Sequence, residues 1–238
     1  MADERQAIAD RDKEDEPLKP TILLLVRHAF NDWLVGDRLA GWTPGIYLND
    51  KGRAQAEALG RRLADQPIAA VYTSPLERAV ETAQAIAAPH HLEVQIREGV
   101  GEVRYGEWTG KAITELVKEE AWRVLQSRPS DAHFPGGESI REMQARAVAE
   151  LDAIVAAHPA EMVVVVSHAD VIKAAVAHYI GLHLDLFQRL AVSPASLNVL
   201  VFALTEERFV RLVCLNDVAH ASPEGAASRP ASQPGSED

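Results

Sequence analysis

Two histidines in this chain follow apolar runs. Thr21–Ile22–Leu23–Leu24–Leu25–Val26 leads into Arg27–His28, and Met162–Val163–Val164–Val165–Val166 leads into Ser167–His168. Runs that are apolar at nearly every position read as strands buried on both faces of an α/β sheet. The carboxyl ends of such strands line the crevice where open sheets bind their ligands. Two imidazoles and a guanidinium delivered there can converge on one phosphate-sized ligand. Phosphoryl transfer by side chains alone needs a nucleophile, fixed positive charge around the phosphoryl oxygens, and a proton donor for the leaving group. Neutral imidazole is a competent nucleophile near physiological pH. Guanidinium groups match phosphate oxygens in pairs and keep their charge. Arg27, His28, Arg78, Glu102 and His168 supply these parts, each at a strand end, a helix start or a loop.

The elements that must position them alternate along the chain. Residues 21–27, 69–73, 93–97, 162–167, 197–203 and 208–214 read as strands, and 50–65, 75–88, 112–126, 138–157 and 169–180 as helices. Asn49 or Asp50 caps the first of these helices. Ser74 followed by Pro75 reads as the cap and first position of the second. This alternation predicts an α/β fold, a three-layer α/β/α sandwich around a mainly parallel mixed sheet. Only Thr205–Glu206–Glu207 separates the last two strands, so they form a hairpin and give the sheet an antiparallel edge. The Gly- and Pro-punctuated stretches 98–111 and 127–137 read as loops over the site. One domain spans residues 20–217. Residues 1–19 and 218–238 read as disordered tails on composition.

The bulk properties narrow the function classes. The 238 residues carry a net charge of −11, which argues against nucleic acid and anionic membranes as partners. A single cysteine, Cys214, rules out a disulfide within the chain and leaves nothing for a thiolate metal cluster. His178 and His183 are not spaced to share a helix face, so no metal pair is expected. No apolar run approaches the roughly 18–20 residues that span a bilayer, and Met1–Glu16 lacks the apolar segment of a signal peptide. The expectation is a cytoplasmic protein with no cofactor and no metal. Its partner would be a small phosphorylated substrate, and a homodimer is one option for its assembly.

Five elements in fixed order carry a resemblance. They are Leu25–Val26–Arg27–His28–Ala29; Thr73–Ser74–Pro75–Leu76–Glu77–Arg78–Ala79 with Glu81–Thr82–Ala83; Gly101–Glu102–Val103–Arg104–Tyr105–Gly106–Glu107–Trp108–Thr109–Gly110; Pro135–Gly136–Gly137–Glu138–Ser139; and Val166–Ser167–His168–Ala169–Asp170. Over residues 21–205 the chain resembles the histidine phosphatase superfamily, also called phosphoglycerate mutase-like. The resemblance implies that His28 attacks phosphorus and becomes a phosphohistidine. It implies that Arg27, Arg78 and His168 hold the phosphoryl oxygens, with His168 protonated or donating. Glu102 would protonate the leaving alkoxide and then activate water.

Departures from the family pattern are specific. Ala29 replaces a glycine, and its methyl is expected beside the phosphate. Leu34 replaces an asparagine typical of phosphoglycerate mutases. Ala169–Asp170 replaces two glycines, and Asp170 reads as a capping or supporting residue, or as a substrate selector. Candidate substrate-binding residues are Asn31, whose amide can donate to a phosphate oxygen; Trp42, in a loop through which substrate would pass; Arg104, beside the acid; Ser139, at a helix start; and Ala169. The expected function is a metal-independent phosphomonoester phosphatase. A phosphomutase using the same intermediate is the alternative. A non-catalytic phosphate-binding module is a third reading, which retention of all five core residues disfavours.

Overall fold

Six strands, β1 (Thr21–Arg27), β2 (Ile68–Thr73), β3 (Val94–Ile96), β4 (Met162–Ser167), β5 (Leu197–Phe202) and β6 (Val210–Asp217), form one sheet in the order β3-β2-β4-β1-β5-β6. The computed structural model describes residues 19–203 and 209–221. The expected tails lie outside these residues except for Lys19 and residues 218–221, and the hairpin tip Thr205–Glu206–Glu207 lies outside them entirely. β1 pairs parallel with β4, β4 with β2, and β2 with β3. β5 runs antiparallel to both β1 and β6, so the sheet is mixed and mainly parallel, as expected.

Alternate residues of the central strands supply two cores, because strand side chains point to opposite faces. Leu23, Leu25, Val163 and Val165 pack with Leu151, Ile154, Ile172 and Val176 from α6 (Ile140–Ala157) and α7 (Ala169–Tyr179). Leu24, Val26, Val164 and Val166 pack with Leu59, Leu63, Ala83 and Ile86 from α2 (Asp50–Leu63) and α3 (Glu77–Ala87). This is the expected three-layer sandwich. A further apolar cluster joins the loop segment to α6 and α7 through Val103, Tyr105, Trp108, Phe134, Met143 and Val171.

Three boundaries depart from expectation. α3 begins at Glu77, because Leu76 is still extended at φ −78° and ψ 136°, so Ser74–Pro75 is not its cap. The helix expected over 112–126 is two pieces, α4 (Ile113–Leu116) and α5 (Glu120–Ser127). Between them Glu119 is extended, and its carboxylate accepts Trp108 Nε1–H at 3.1 Å. The last strand starts later and runs three residues further than expected. Asn49 does cap α2, accepting from Gly52 N at 2.9 Å.

Candidate active site

Register brings the two histidines together. Arg27 of β1 stands level with Ser167 of β4, so the residue after each strand is a histidine at the same height. Their rings lie 5.2 Å apart, centroid to centroid. His28 N donates to Ser167 O at 2.9 Å, which continues the ladder one residue past the strand.

Local hydrogen bonding sets the state of His28. Its Nδ1 lies 2.8 Å from Ala29 O. A carbonyl only accepts, so Nδ1 carries the proton and Nε2 keeps its lone pair. Burial, then the Arg78 and Arg27 charges, holds its pKa well below the ordinary histidine value. The ring is therefore neutral, as a nucleophile requires.

Arg78 is buried and Arg27 half-buried, and both guanidinium groups are incompletely bonded. Arg27 Nη1 donates to Val192 O at 2.8 Å, in the segment before β5. Arg78, in the first turn of α3, donates from Nη2 to Gly41 O at 2.9 Å. Arg27 Nε and Arg78 Nη1 are buried with no partner among the described residues. Burial lowers both pKa values, but guanidinium stays charged.

His168 is fully buried, and burial followed by the Arg78 charge holds its pKa well below the usual value. Arg78 Nη2 lies 3.4 Å from its Nδ1. Arginine only donates, so Nδ1 accepts and Nε2–H donates to Ser74 Oγ at 2.8 Å. His168 is thus neutral here rather than protonated, with a donor at Nε2. Glu102 Oε2 lies 3.4 Å from His168 Nδ1 and 3.9 Å from Arg78 Nη2. Burial, opposed by Arg78, raises the Glu102 pKa to about 7. A carboxyl that exchanges its proton near neutrality can act as both acid and base.

Of the expected substrate-binding residues, two adjoin the Glu102 loop. Trp42 Nε1 donates to Glu102 O at 2.6 Å, and the Arg104 guanidinium lies 4.2 Å from the Trp42 ring centre. Arg104 also approaches Glu98, at 3.8 Å. Asn31 is buried at the start of the short helix α1 (Asp32–Val35), where its side chain accepts from Leu34 N at 3.1 Å. Ala169 is the half-buried first residue of α7. Ser139 caps α6 in a reciprocal capping box with Glu142, so its hydroxyl is already engaged there.

The Ala29 methyl points elsewhere than expected, and of the roles expected for Asp170 only the cap is missing, since its charge acts on Arg27, Glu102 and Tyr105. The Ala29 methyl packs with Leu48, Ala56 and Ala195 rather than beside an anion, and its N–H donates to Thr82 Oγ1 at 3.0 Å. Asp170 makes no cap to α7; its carboxylate lies 3.3 Å from Lys173 Nζ.

Sequence reasoning gave Ser74 only a capping role, placed Thr82 and Tyr105 in motifs without a role of their own, and did not reach Arg146. Tyr105 is buried, and burial with Glu102 and Asp170 raises its hydroxyl pKa well above the ordinary value, which puts it in the field of the same groups. Arg146 donates to Glu102 O at 2.8 Å. Its only sequence signal is a charge on an amphipathic helix, which is the usual look of a solvated residue.

The fold is that of the phosphoglycerate mutase-like α/β proteins. Bacillus stearothermophilus YhfR superposes on it with a TM-score of 0.78 at 29% identity, covering 84% of this chain and 99% of that one. Phosphoserine phosphatase 1 of Hydrogenobacter thermophilus is 31% identical over 200 residues, which is 83% of this chain and 93% of that protein. Phosphoglycerate mutase-like protein 4 of Arabidopsis thaliana is 36% identical over 156 residues, 63% of this chain and 67% of that protein. Residues 23–215 match the family model for the histidine phosphatase superfamily, branch 1. The chain belongs to that superfamily, as an enzyme of its phosphatase and mutase type. No described helix is long and apolar enough to cross a membrane.

Proposed function

We propose that the protein is a metal-independent phosphatase of small phosphomonoesters that works through a phosphohistidine on His28. The observation that carries this reading is the pair of unpartnered buried donors, Arg27 Nε and Arg78 Nη1. Buried donors without partners are costly unless a ligand completes them. Both guanidinium charges lower the His28 pKa, and we place the anion they would bind beside the His28 ring, whose Nε2 keeps its lone pair. In the first step the Nε2 lone pair forms the N–P bond as the bond from phosphorus to the leaving oxygen breaks. The protonated Glu102 carboxyl gives its proton to that oxygen. In the second step the Glu102 carboxylate takes a proton from water, the water oxygen bonds to phosphorus, and the N–P bond breaks to release phosphate. The arginines stabilise charge on the phosphoryl oxygens throughout; the His168 Nε2–H is engaged by Ser74 Oγ, so His168 joins them only if Nδ1 takes up a proton as the anion binds.

The Arg27 and Arg78 guanidinium groups supply the positive charge in this scheme. Among the described residues no three His, Cys, Asp or Glu side chains converge as a metal site. The test is turnover of a phosphomonoester panel with free-phosphate detection, in EDTA. Activity that survives the chelator is the expected result; activity restored only by a divalent ion would overturn it. A second reading, a phosphomutase, is favoured by the mutase-named relative. It requires the phosphoryl group to return to a second hydroxyl. Incorporation of oxygen from 18O-water into released phosphate supports the hydrolase, whereas transfer between hydroxyls without free phosphate supports the mutase.

A further inference from the structure

Glu102 lies in a loop with no strand ladder of its own, yet its backbone is bonded from several directions. Arg146, on α6, donates from Nη1 to Gly99 O and Gly101 O, each at 2.8 Å. Its Nη2 donates to Glu102 O at 2.8 Å and to Glu138 Oε1 at 2.6 Å. Its Nε donates to Glu138 Oε2 at 2.9 Å. Glu138 Oε1 also accepts Arg104 N–H at 2.8 Å, and Glu138 N donates to Arg104 O at 2.9 Å. The Arg146–Glu138 pair therefore grips the loop on both sides of Glu102.

The chain around the grip leaves little play. A Cβ on Gly101 would come within 2.4 Å of the Trp42 ring, and a Cβ on Gly106 within 2.1 Å of Pro135 O, where φ is +53°. Five donor contacts from one guanidinium go beyond what packing α6 requires. Glu138 directs it by fork-to-fork pairing, which fixes orientation as well as distance.

We propose that Arg146, oriented by Glu138, is a positioning residue that sets where the Glu102 carboxyl sits for proton transfer. This rests on the reading of Glu102 as the acid. Loosening the grip lets the carboxyl drift from the leaving oxygen. It leaves Arg27, Arg78, His28 and His168 in place, because Arg146 bonds none of them. A misplaced acid matters only where the leaving group needs a proton. An alkyl phosphomonoester does, and p-nitrophenyl phosphate does not.

The test compares Arg146→Lys and Glu138→Gln with wild type on p-nitrophenyl phosphate and on the best alkyl ester of the panel. Vanadate inhibition and thermal melts are measured in parallel. The expected result is a roughly 30- to 100-fold loss of kcat/KM on the alkyl ester, within the range of general acid catalysis, against about 3-fold or less on p-nitrophenyl phosphate. Vanadate inhibition stays unchanged. The high-pH limb moves to lower pH, because a loosened loop admits water and relieves the desolvation that raises the Glu102 pKa. Equal losses on both esters, or no loss, with the limb unmoved, overturn the proposal. Glu138→Gln carries the test alone if Arg146→Lys does not fold. Glu102→Gln is the control for the underlying reading. If it shows no leaving-group dependence, the acid assignment fails and the proposal with it. If it shows that dependence and the other two variants do not, only the positioning role is lost.

Discussion

His28 and Glu102 are held by different kinds of structure. His28 extends a strand ladder: its N–H bonds to Ser167 O, and its ring is oriented by the next carbonyl in its own chain. Glu102 sits in a loop whose carbonyls are held by side chains far off in sequence, Trp42 and Arg146. The nucleophile's place thus comes from the same hydrogen bonds that build the sheet. The acid's place comes from a few side-chain bonds that the sheet does not need. Damage to the backbone ladder beside His28 should therefore cost fold and function together, whereas loss of a side-chain bond around Glu102 should separate them.

The sharpest break is at the nucleophile itself. His28→Ala removes only a ring whose side-chain bond is to Ala29 O, so the protein should fold with a melting temperature near that of wild type. Turnover of every phosphomonoester should fall by at least ~10⁴-fold, as expected when a covalent nucleophile is lost. Retention of wild-type kcat/KM would remove His28 from the mechanism and make the five-residue cluster a binding site.

Glu102→Gln should give the next largest effect, about 10²- to 10³-fold on alkyl esters and far less on p-nitrophenyl phosphate. The pH dependence has a definite sign. The carboxyl is raised to about 7, so the protonated acid is available below that pH. The phosphorylation step, read as a single-turnover burst, should slow as pH rises through about 7. The water-attack step needs the carboxylate and should show the opposite slope. A burst rate flat from pH 5 to 9 would show that another group donates.

The same raised pKa makes the acid costly to the fold. A carboxyl whose folded pKa exceeds its unfolded value contributes stability fully present below the unfolded pKa and lost as pH rises through the folded one. Wild type should therefore lose stability between about pH 4.5 and 7 on account of Glu102. Glu102→Gln should be the more stable protein at pH 8, by on the order of 1–3 kcal/mol, and equal to wild type near pH 4. A melting temperature at pH 8 unchanged by the substitution would mean that Arg78 and Arg27 compensate the buried charge fully.

The contrast between strand and loop also governs what could be read in the letters. β1 and β4 were legible because continuous Leu and Val runs have few other uses, and Arg27, His28 and His168 came with them. Arg78 and Glu102 were legible only through the motifs around them. Ser74–Pro75 carries a local cap signal, yet Ser74 bonds His168 instead, because the tertiary partner is a buried imidazole that has to be satisfied. The break at Glu119 was hidden for a related reason: helical spacing persists across it, and the competing bond comes from Trp108, eleven residues away. The direction of the Ala29 methyl and the grip of Arg146 depend on elements that meet only after the sheet has formed.

The smallest expected effect tests the one candidate whose hydroxyl is already engaged. Ser139 Oγ accepts from Glu142 N at 3.1 Å, and Glu142 Oε2 accepts from Ser139 N at 2.7 Å. Those bonds lower the Glu142 pKa and satisfy two backbone donors at the start of α6. Ser139→Ala should cost about 1 kcal/mol, the usual value of an N-cap side chain, read as a drop of a few degrees in melting temperature. Ser139 directly follows Glu138, the partner of Arg146, so the variant also asks whether the start of α6 is coupled to the acid loop. Charge-assisted bonds from Arg146 reach that loop without passing through Ser139, so kcat/KM should stay within about 2-fold of wild type on both esters. A selective rise in KM would mean that the Ser139 hydroxyl leaves its cap to contact substrate. A selective loss on the alkyl ester would mean that the cap and the grip on Glu102 act as one unit.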